Sequence, residues 1–363
     1  MSLQNLRQFR CLCLLVASAV LTAPAIADSL FIGTVERDHI HITGYRNGYI
    51  EFSVNDRSKE PVPADKVSHI ALDGEADFNK AEVAFHQQKW EQAAASYQQA
   101  LPTANKPWIK DYLLPRLVES ANRSGQLEPA VLGFSQLVTR NLQQAIPLRP
   151  PIPTNVKPEI LGRIATQLAS QTDNPQLDGV QKLALLSVLL DIRQAQGDVP
   201  AAGRVADQIS AIAAVDATDP AIRRLLGDIH LGLASLALAQ TNPARAVSEI
   251  ESNTALFATP YQQLQAAYCL AYGRDGMLGQ KGNANQWRDL AIDYMRVVAA
   301  ARASGQRRYV PESLMRVAQI QEQLGDLKGA VFLYAEVASE YKNEALSDRA
   351  QKECERLQGK TGN

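Results

Sequence analysis

The chain has 363 residues, a formal net charge of −1, and 46% hydrophobic but only 6% aromatic residues. That length allows two or three domains with a sizeable core, and the balanced charge excludes a broad attraction to nucleic acid or to an acidic membrane surface. Few aromatics beside frequent Ala, Leu and Gln favour helices packed through small residues over a β-sandwich.

Residues 1–27 read as a secretory signal peptide. Arg7 and Arg10 give a positive start, Cys11 to Leu21 is a short apolar run, and Ala25-Ile26-Ala27 has the small-x-small form of a cleavage site. The apolar run is short for a membrane span, and an uncleaved anchor is the alternative reading. Neither Cys11 nor Cys13 lies in a Leu-Ala-Gly-Cys-like context for lipid attachment. Cleavage would leave Cys269 and Cys354, which are too few for a disulfide framework and read as buried thiols.

Residues 28–73 form a small β module. Leu30 to Glu36, His39 to Tyr45, Tyr49 to Val54 and Val67 to Leu72 are short, partly alternating and rich in β-branched and aromatic residues. Asn47-Gly48 is a hairpin turn signal. Four such strands suggest a curled sheet or an SH3-like barrel, too small for a core of its own and expected to dock on the first helices.

Helical periodicity begins near Gly74. Residues 74–145 hold two helical pairs, one with Ala81, Ala84, Ala93, Tyr97 and Ala100, the other with Ala121, Gly125, Ala130 and Phe134. Residues 146–158 carry Pro147, Pro150, Pro151, Pro153 and Pro158 and read as an extended connector or an ordered loop. Helices resume over 159–358, with turns at Gly197-Asp198, Asn242-Pro243 and Gly325-Asp326, and 359–363 reads as a flexible tail. The segment GRDGMLGQKGN, with Gly273, Gly276, Gly279 and Gly282, has neither phosphate-loop spacing and reads as a long loop between helices.

The last pair is the clearest. Leu314, Val317, Ala318 and Ile320 line one helix, Gly325-Asp326 breaks it, and Ala330, Leu333, Tyr334 and Val337 mark the next. Ala318, Gly325-Asp326, Ala330 and Tyr334 resemble, in order, the small, turn, small and aromatic positions of a tetratricopeptide repeat. The small residues at 93, 130, 202, 246, about 291 and 330 are spaced more widely than the roughly 34 residues of that family, so the array is degenerate in its middle. The resemblance implies a mostly α protein, a right-handed solenoid of helical hairpins behind the β module. It extends loosely to the closing repeats of periplasmic proteins that coordinate envelope assembly.

No G-x-S-x-G, H-E-x-x-H, C-x-x-C or EF-hand pattern occurs. His39, His41 and His69 lie on strands and read as polar residues of a sheet face rather than a metal set. No catalytic residue, metal or cofactor is therefore expected.

The function expected is a non-enzymatic protein–protein interaction scaffold in the bacterial envelope, periplasmic or secreted. Its partner would be a protein, with no nucleic acid and no membrane span after signal cleavage; the oligomeric state stays open. By the resemblance, the first helix of each repeat lines a concave face. That register selects Tyr112, Glu119, Asn122 and Arg123, with Arg116 one turn away, and Glu312, Met315, Gln319, Glu322 and Gln323. Such a mixed lining suits an extended peptide or a partner helix. The alternative is an enzyme or carbohydrate-binding protein with a site between β module and helices, lined by the histidines, Tyr45 and Tyr49. Mass spectrometry of the native protein is expected to find Asp28 as its first residue; an intact Met1 would remove the envelope assignment.

Overall fold

The structure is a computed structural model and describes residues 28–153, 155–212, 215–342 and 345–361. The leader reading falls on residues 1–27, outside the described residues. Among the described residues the chain is mostly helical, with fifteen α-helices after a small antiparallel sheet. It divides into two compact units, Met1–Gly133 and Phe134–Asn363.

In the first unit, β1 (Asp28–Ile32) turns at Gly33 (φ 60°) into β2 (Val35–Arg46). Asn47 and Gly48 both take positive φ, 52° and 81°, as a two-residue primed turn requires, and lead into β3 (Tyr49–Val54). Two-residue strands β4 (Arg57–Ser58) and β5 (Val62–Pro63) pair with β3, and β6 (Val67–Ala71) returns beside β1. The hydrogen-bonded order is β4-β3-β2-β1-β6. The turn at Gly33 shifts the first expected strands: Glu36 belongs to β2, which runs on through His39.

Ile40, Ile42, Ile50 and Ile70 turn inward at alternate positions, as the pleat dictates. They meet Phe78 of α1 (Ala76–His86), Tyr97 of α2 (Trp90–Thr103) and Leu113 of α3 (Pro107–Ser124) in one core. The outer edge of β6 is closed by side chains of α1. Glu82 accepts the Ile70 N–H at 3.1 Å, and Asn79 accepts the Leu72 N–H at 2.7 Å. These bonds satisfy edge groups that would otherwise invite another strand. Asp28 is buried, and its carboxylate accepts the backbone N–H groups of Ile42 (2.8 Å) and Asp73 (2.9 Å).

The boundary between units falls within α4 (Leu127–Arg140). The second unit continues with α5 (Leu142–Ala145), α6 (Pro158–Thr172), α7 (Gly179–Ala195), α8 (Val199–Ser210), α9 (Pro220–Ala239) and α10 (Pro243–Ser252). It closes with α11 (Pro260–Leu278), α12 (Ala284–Ala303), α13 (Val310–Gln323), α14 (Leu327–Glu340) and α15 (Ala345–Thr361). Starts are well specified. Pro158, Pro220, Pro243 and Pro260 open their helices, and Asp178, Asp198, Asp219, Asn242, Thr259, Asn283 and Asp326 cap theirs. From α6 to α15 each helix packs on the next, and α7 on α9, α9 on α11 and α13 on α15 also touch. No helix among the described residues is long and apolar enough to cross a membrane.

Three segments depart from their expected form. The glycine-rich stretch is helix, not loop, as far as Leu278. Gly273 sits where a side chain would strike Val247 Cγ2 at 2.8 Å, so its lack of a Cβ lets α10 and α11 close up. Within the proline-rich connector, Ile146–Leu148 forms a 3-10 turn and Pro158 already belongs to α6. Residues 359–361, expected in a flexible tail, continue α15. Cys269 and Cys354 are free and buried, and burial pushes the Cys269 thiol up to about 11.

Ala330 is fully buried and Tyr334 is 1% exposed, both in the core that joins α12, α13, α14 and α15. Ala330→Leu should overpack this contact and cost about 1–3 kcal/mol. Tyr334→Ala should open a cavity and cost about 3–5 kcal/mol. Thermal melts of both variants check this; curves that coincide with the parent refute it.

Candidate functional site

Tyr112 and Arg116 correct the register-based expectation. Both lie on α3 but turn inward. Tyr112 is 3% exposed, and its hydroxyl donates to Glu82 at 2.9 Å. The Tyr97 hydroxyl donates to the same carboxylate. Arg116 Nη1 lies 3.4 Å from Glu82, and its guanidinium lies over the rings of Phe85 and Tyr112 at 4.7 and 4.5 Å. Glu82 holds the Arg116 guanidinium well above its usual pKa against the opposing effect of burial, and burial pushes both tyrosine hydroxyls up. The cluster therefore places the Glu82 carboxyl and the Arg116 guanidinium together in the interior, 0% and 13% exposed.

The other α3 candidates sit further out. Glu119 and Arg123 pair with each other at 2.9 Å, Arg123 lies over Trp90, and Asn122 is half-buried. Tyr45 packs edge-on to Tyr112 with 5.4 Å between centroids, while Tyr49 faces solvent. The histidines do not converge. His39 is exposed beside Asp38, His41 is 3.5 Å from Asp28, and His69 stacks on Phe31 near His86. Among the described residues no three His, Cys, Asp or Glu side chains are placed to hold a metal.

The C-terminal candidates come together. Glu312, Met315 and Gln319 of α13 line a cleft of about 220 Å³ with Tyr268, Tyr272 and Asp275 of α11, Tyr294 of α12 and Leu346 and Arg349 of α15. Met315 is 4% exposed and forms the floor rather than a free contact, whereas Glu312 and Tyr272 are exposed. Glu322 is engaged by Arg356 of α15, at 2.6 and 2.8 Å, and Gln323 faces solvent. Asp275 fixes one wall. It takes a two-pronged ion pair from Arg316 at 2.5 and 2.6 Å and a hydrogen bond from Tyr294 at 3.1 Å. That pairing holds the Arg316 guanidinium above its usual pKa and leaves Asp275 as a support.

A larger recess of about 870 Å³ opens at the other end of α11. Its walls include Asp191 and Gln194 of α7, Arg224 and Asp228 of α9, Tyr261 and Gln265 of α11, and Arg308 and Tyr309 from the turn before α13. Arg149, Pro151 and Ile152 of the proline-rich segment close one side. Arg149 is pinned there, donating to Ser187 Oγ and Ser187 O at 3.0 Å and to Asp191 at 2.6 Å. Burial pushes the Asp228 carboxyl up, against Arg149 and a 2.8 Å hydrogen bond from Gln262.

Tyr261, Gln265, Tyr268 and Tyr272 follow the spacing of one helix face and run from the recess to the cleft. Tyr309 stacks on Tyr268 with 4.2 Å between centroids, joining the two. Repeat register did not select these tyrosines, although their i, i+7, i+11 spacing, with Gln265 at i+4, is written in the sequence. Arg308 and Tyr309 had no such signal, because a loop carries no period.

Glu82 provides the sharpest test of the first unit. Glu82→Leu should cost about 3–5 kcal/mol, since it strands a buried guanidinium and two hydroxyls. A chemical-denaturation midpoint unchanged from the parent would refute the cluster's role.

A scan against models of known protein families matches none to this chain, and no curated protein matches it.

Proposed function

We propose that the protein is a non-enzymatic interaction scaffold, a tetratricopeptide-like right-handed stack of helical hairpins exported to the bacterial envelope. The cleft at its C-terminal helices holds an extended peptide or a partner helix. One observation carries this reading: three alternate helices, α11, α13 and α15, contribute side chains to a single cleft, with Tyr294 of α12 beside them. Three of its residues, Glu312, Met315 and Gln319, are the ones that the repeat register selects. The lining suits side-chain hydrogen bonds combined with modest apolar contact, with Tyr272 as an exposed aromatic anchor.

The packing of successive helices, with α13 also touching α15, supports a stacked array in which a groove forms on the helices nearest one another. The export part of the proposal rests on the leader pattern alone. The non-enzymatic part rests on the sequence, which carries no G-x-S-x-G, H-E-x-x-H, C-x-x-C or EF-hand pattern; of the acidic groups, Asp275 is committed to Arg316 and Tyr294, and Asp191 to Arg149.

A photo-crosslinking residue placed at Tyr272 or Arg349 tests the cleft in intact cells, with Phe332, which is 70% exposed on α14, as the control position. Positions 272 and 349 should capture the same partner band and position 332 should not. A Glu312→Lys substitution should weaken that band. Equal capture at all three positions, or none at 272 and 349, removes the cleft as the binding surface.

A further inference from the structure

We propose that the recess at the start of α11 seats an acidic side chain of the same extended partner segment, with Arg308 and Arg224 receiving its carboxylate. This rests on the peptide-binding reading above and adds the chemistry that the peptide must carry.

Arg308 is held ready for such a role. Its guanidinium lies over the rings of Tyr261 at 5.6 Å and Tyr309 at 4.9 Å, and it donates a hydrogen bond to the Tyr261 hydroxyl. The rings in turn are fixed. Tyr261 stands in the first turn of α11, and Tyr309 is locked against Tyr268. Tyr309 also takes φ 66°, a left-handed conformation that a bulky residue adopts only when its surroundings enforce it. A guanidinium clamped in this way loses little freedom on meeting an anion, which is the condition for strong two-pronged recognition.

The charges in the recess leave room for one anion. Arg149 and Asp191 satisfy each other. Arg308 and Arg224 form no salt bridge among the described residues, and Arg224 acts on Asp228 only at longer range. Two guanidinium groups thus face one remaining carboxylate, so an added acid restores the balance.

Arg308 lies against Tyr261 and Tyr309, and Tyr268 stacks on Tyr309, while Tyr261 keeps 38% of its surface exposed. The α11 face from Tyr261 to Tyr272 runs from this recess to the cleft, as one extended ligand requires. Beside the walls from α7, α9 and α11, the recess takes lining from parts outside the helical periodicity, the proline-rich segment at Arg149–Ile152 and the turn at Arg308–Tyr309.

The test is selection of a random-peptide display library on the immobilised full chain, in parallel for the parent, Arg308→Gln/Arg224→Gln, and Met315→Glu. Matching circular dichroism melts establish that each variant is folded. The parent should enrich peptides with Asp or Glu at one fixed position. The double arginine variant should lose that preference and bind the selected peptides about tenfold more weakly or worse, and raised salt should reproduce part of the loss. Enriched peptides without an acidic position, or with one unaffected by the arginine changes, overturn the assignment. If such peptides still depend on Met315, the cleft reading stands without it. If the parent enriches no peptide, both readings fall.

Discussion

Helical hairpins in this chain close on alanine. Ala93, Ala130, Ala202, Ala246 and Ala330 each stand near the start of a second helix, Ala291 two turns into its own, and none is more than 7% exposed. A methyl group at the crossing lets two helix backbones approach closely, and the larger side chains around it then fill the remaining space. The caps depend on the same closeness. Gly125, Gly197 and Gly325 turn the chain in the left-handed conformation, and Asp198 and Asp326 cap the helix that follows. Gln88 and Thr241 adopt the same conformation without being glycine, so hairpin geometry prevails there over local preference.

The first unit solves a different problem. Its sheet is too small to bury both faces, and β6 would leave an open edge. Glu82 answers both needs by accepting a strand N–H and the hydroxyls of two buried tyrosines, with Arg116 balancing its charge. A buried carboxylate is costly unless every lone pair is used. Here the cost is offset by bonds that reach β6, α2 and α3 at once, which fixes the order in which they pack.

Much of this was legible in the sequence, for reasons that particular residues make plain. Asn47-Gly48, Gly197-Asp198 and Gly325-Asp326 are turn signals whose chemistry is local, and the structure has turns at each. Buried alanines at helical spacing were equally readable. Tyr112 and Arg116 were not, because register places a residue on a face without saying whether a sheet lies against it. Nor was the helix through Gly273 and Gly276: glycine usually marks a loop, and only the close approach of α10 explains two inside a helix. The large recess was hidden for a third reason. It joins a proline-rich segment to an interhelical turn across a long stretch of sequence, and no period connects them.

The unbroken course of α11 makes the helix a ruler. Had the glycines formed a loop, the two recesses could have shifted against each other. As one rod, the helix sets Tyr261 and Tyr272 eleven residues and about 16 Å apart along its axis. A ligand whose contact groups match that interval gains the second contact at high effective concentration, and one with a shorter or longer interval engages a single end. Selectivity would then reside in spacing as much as in the identity of any side chain.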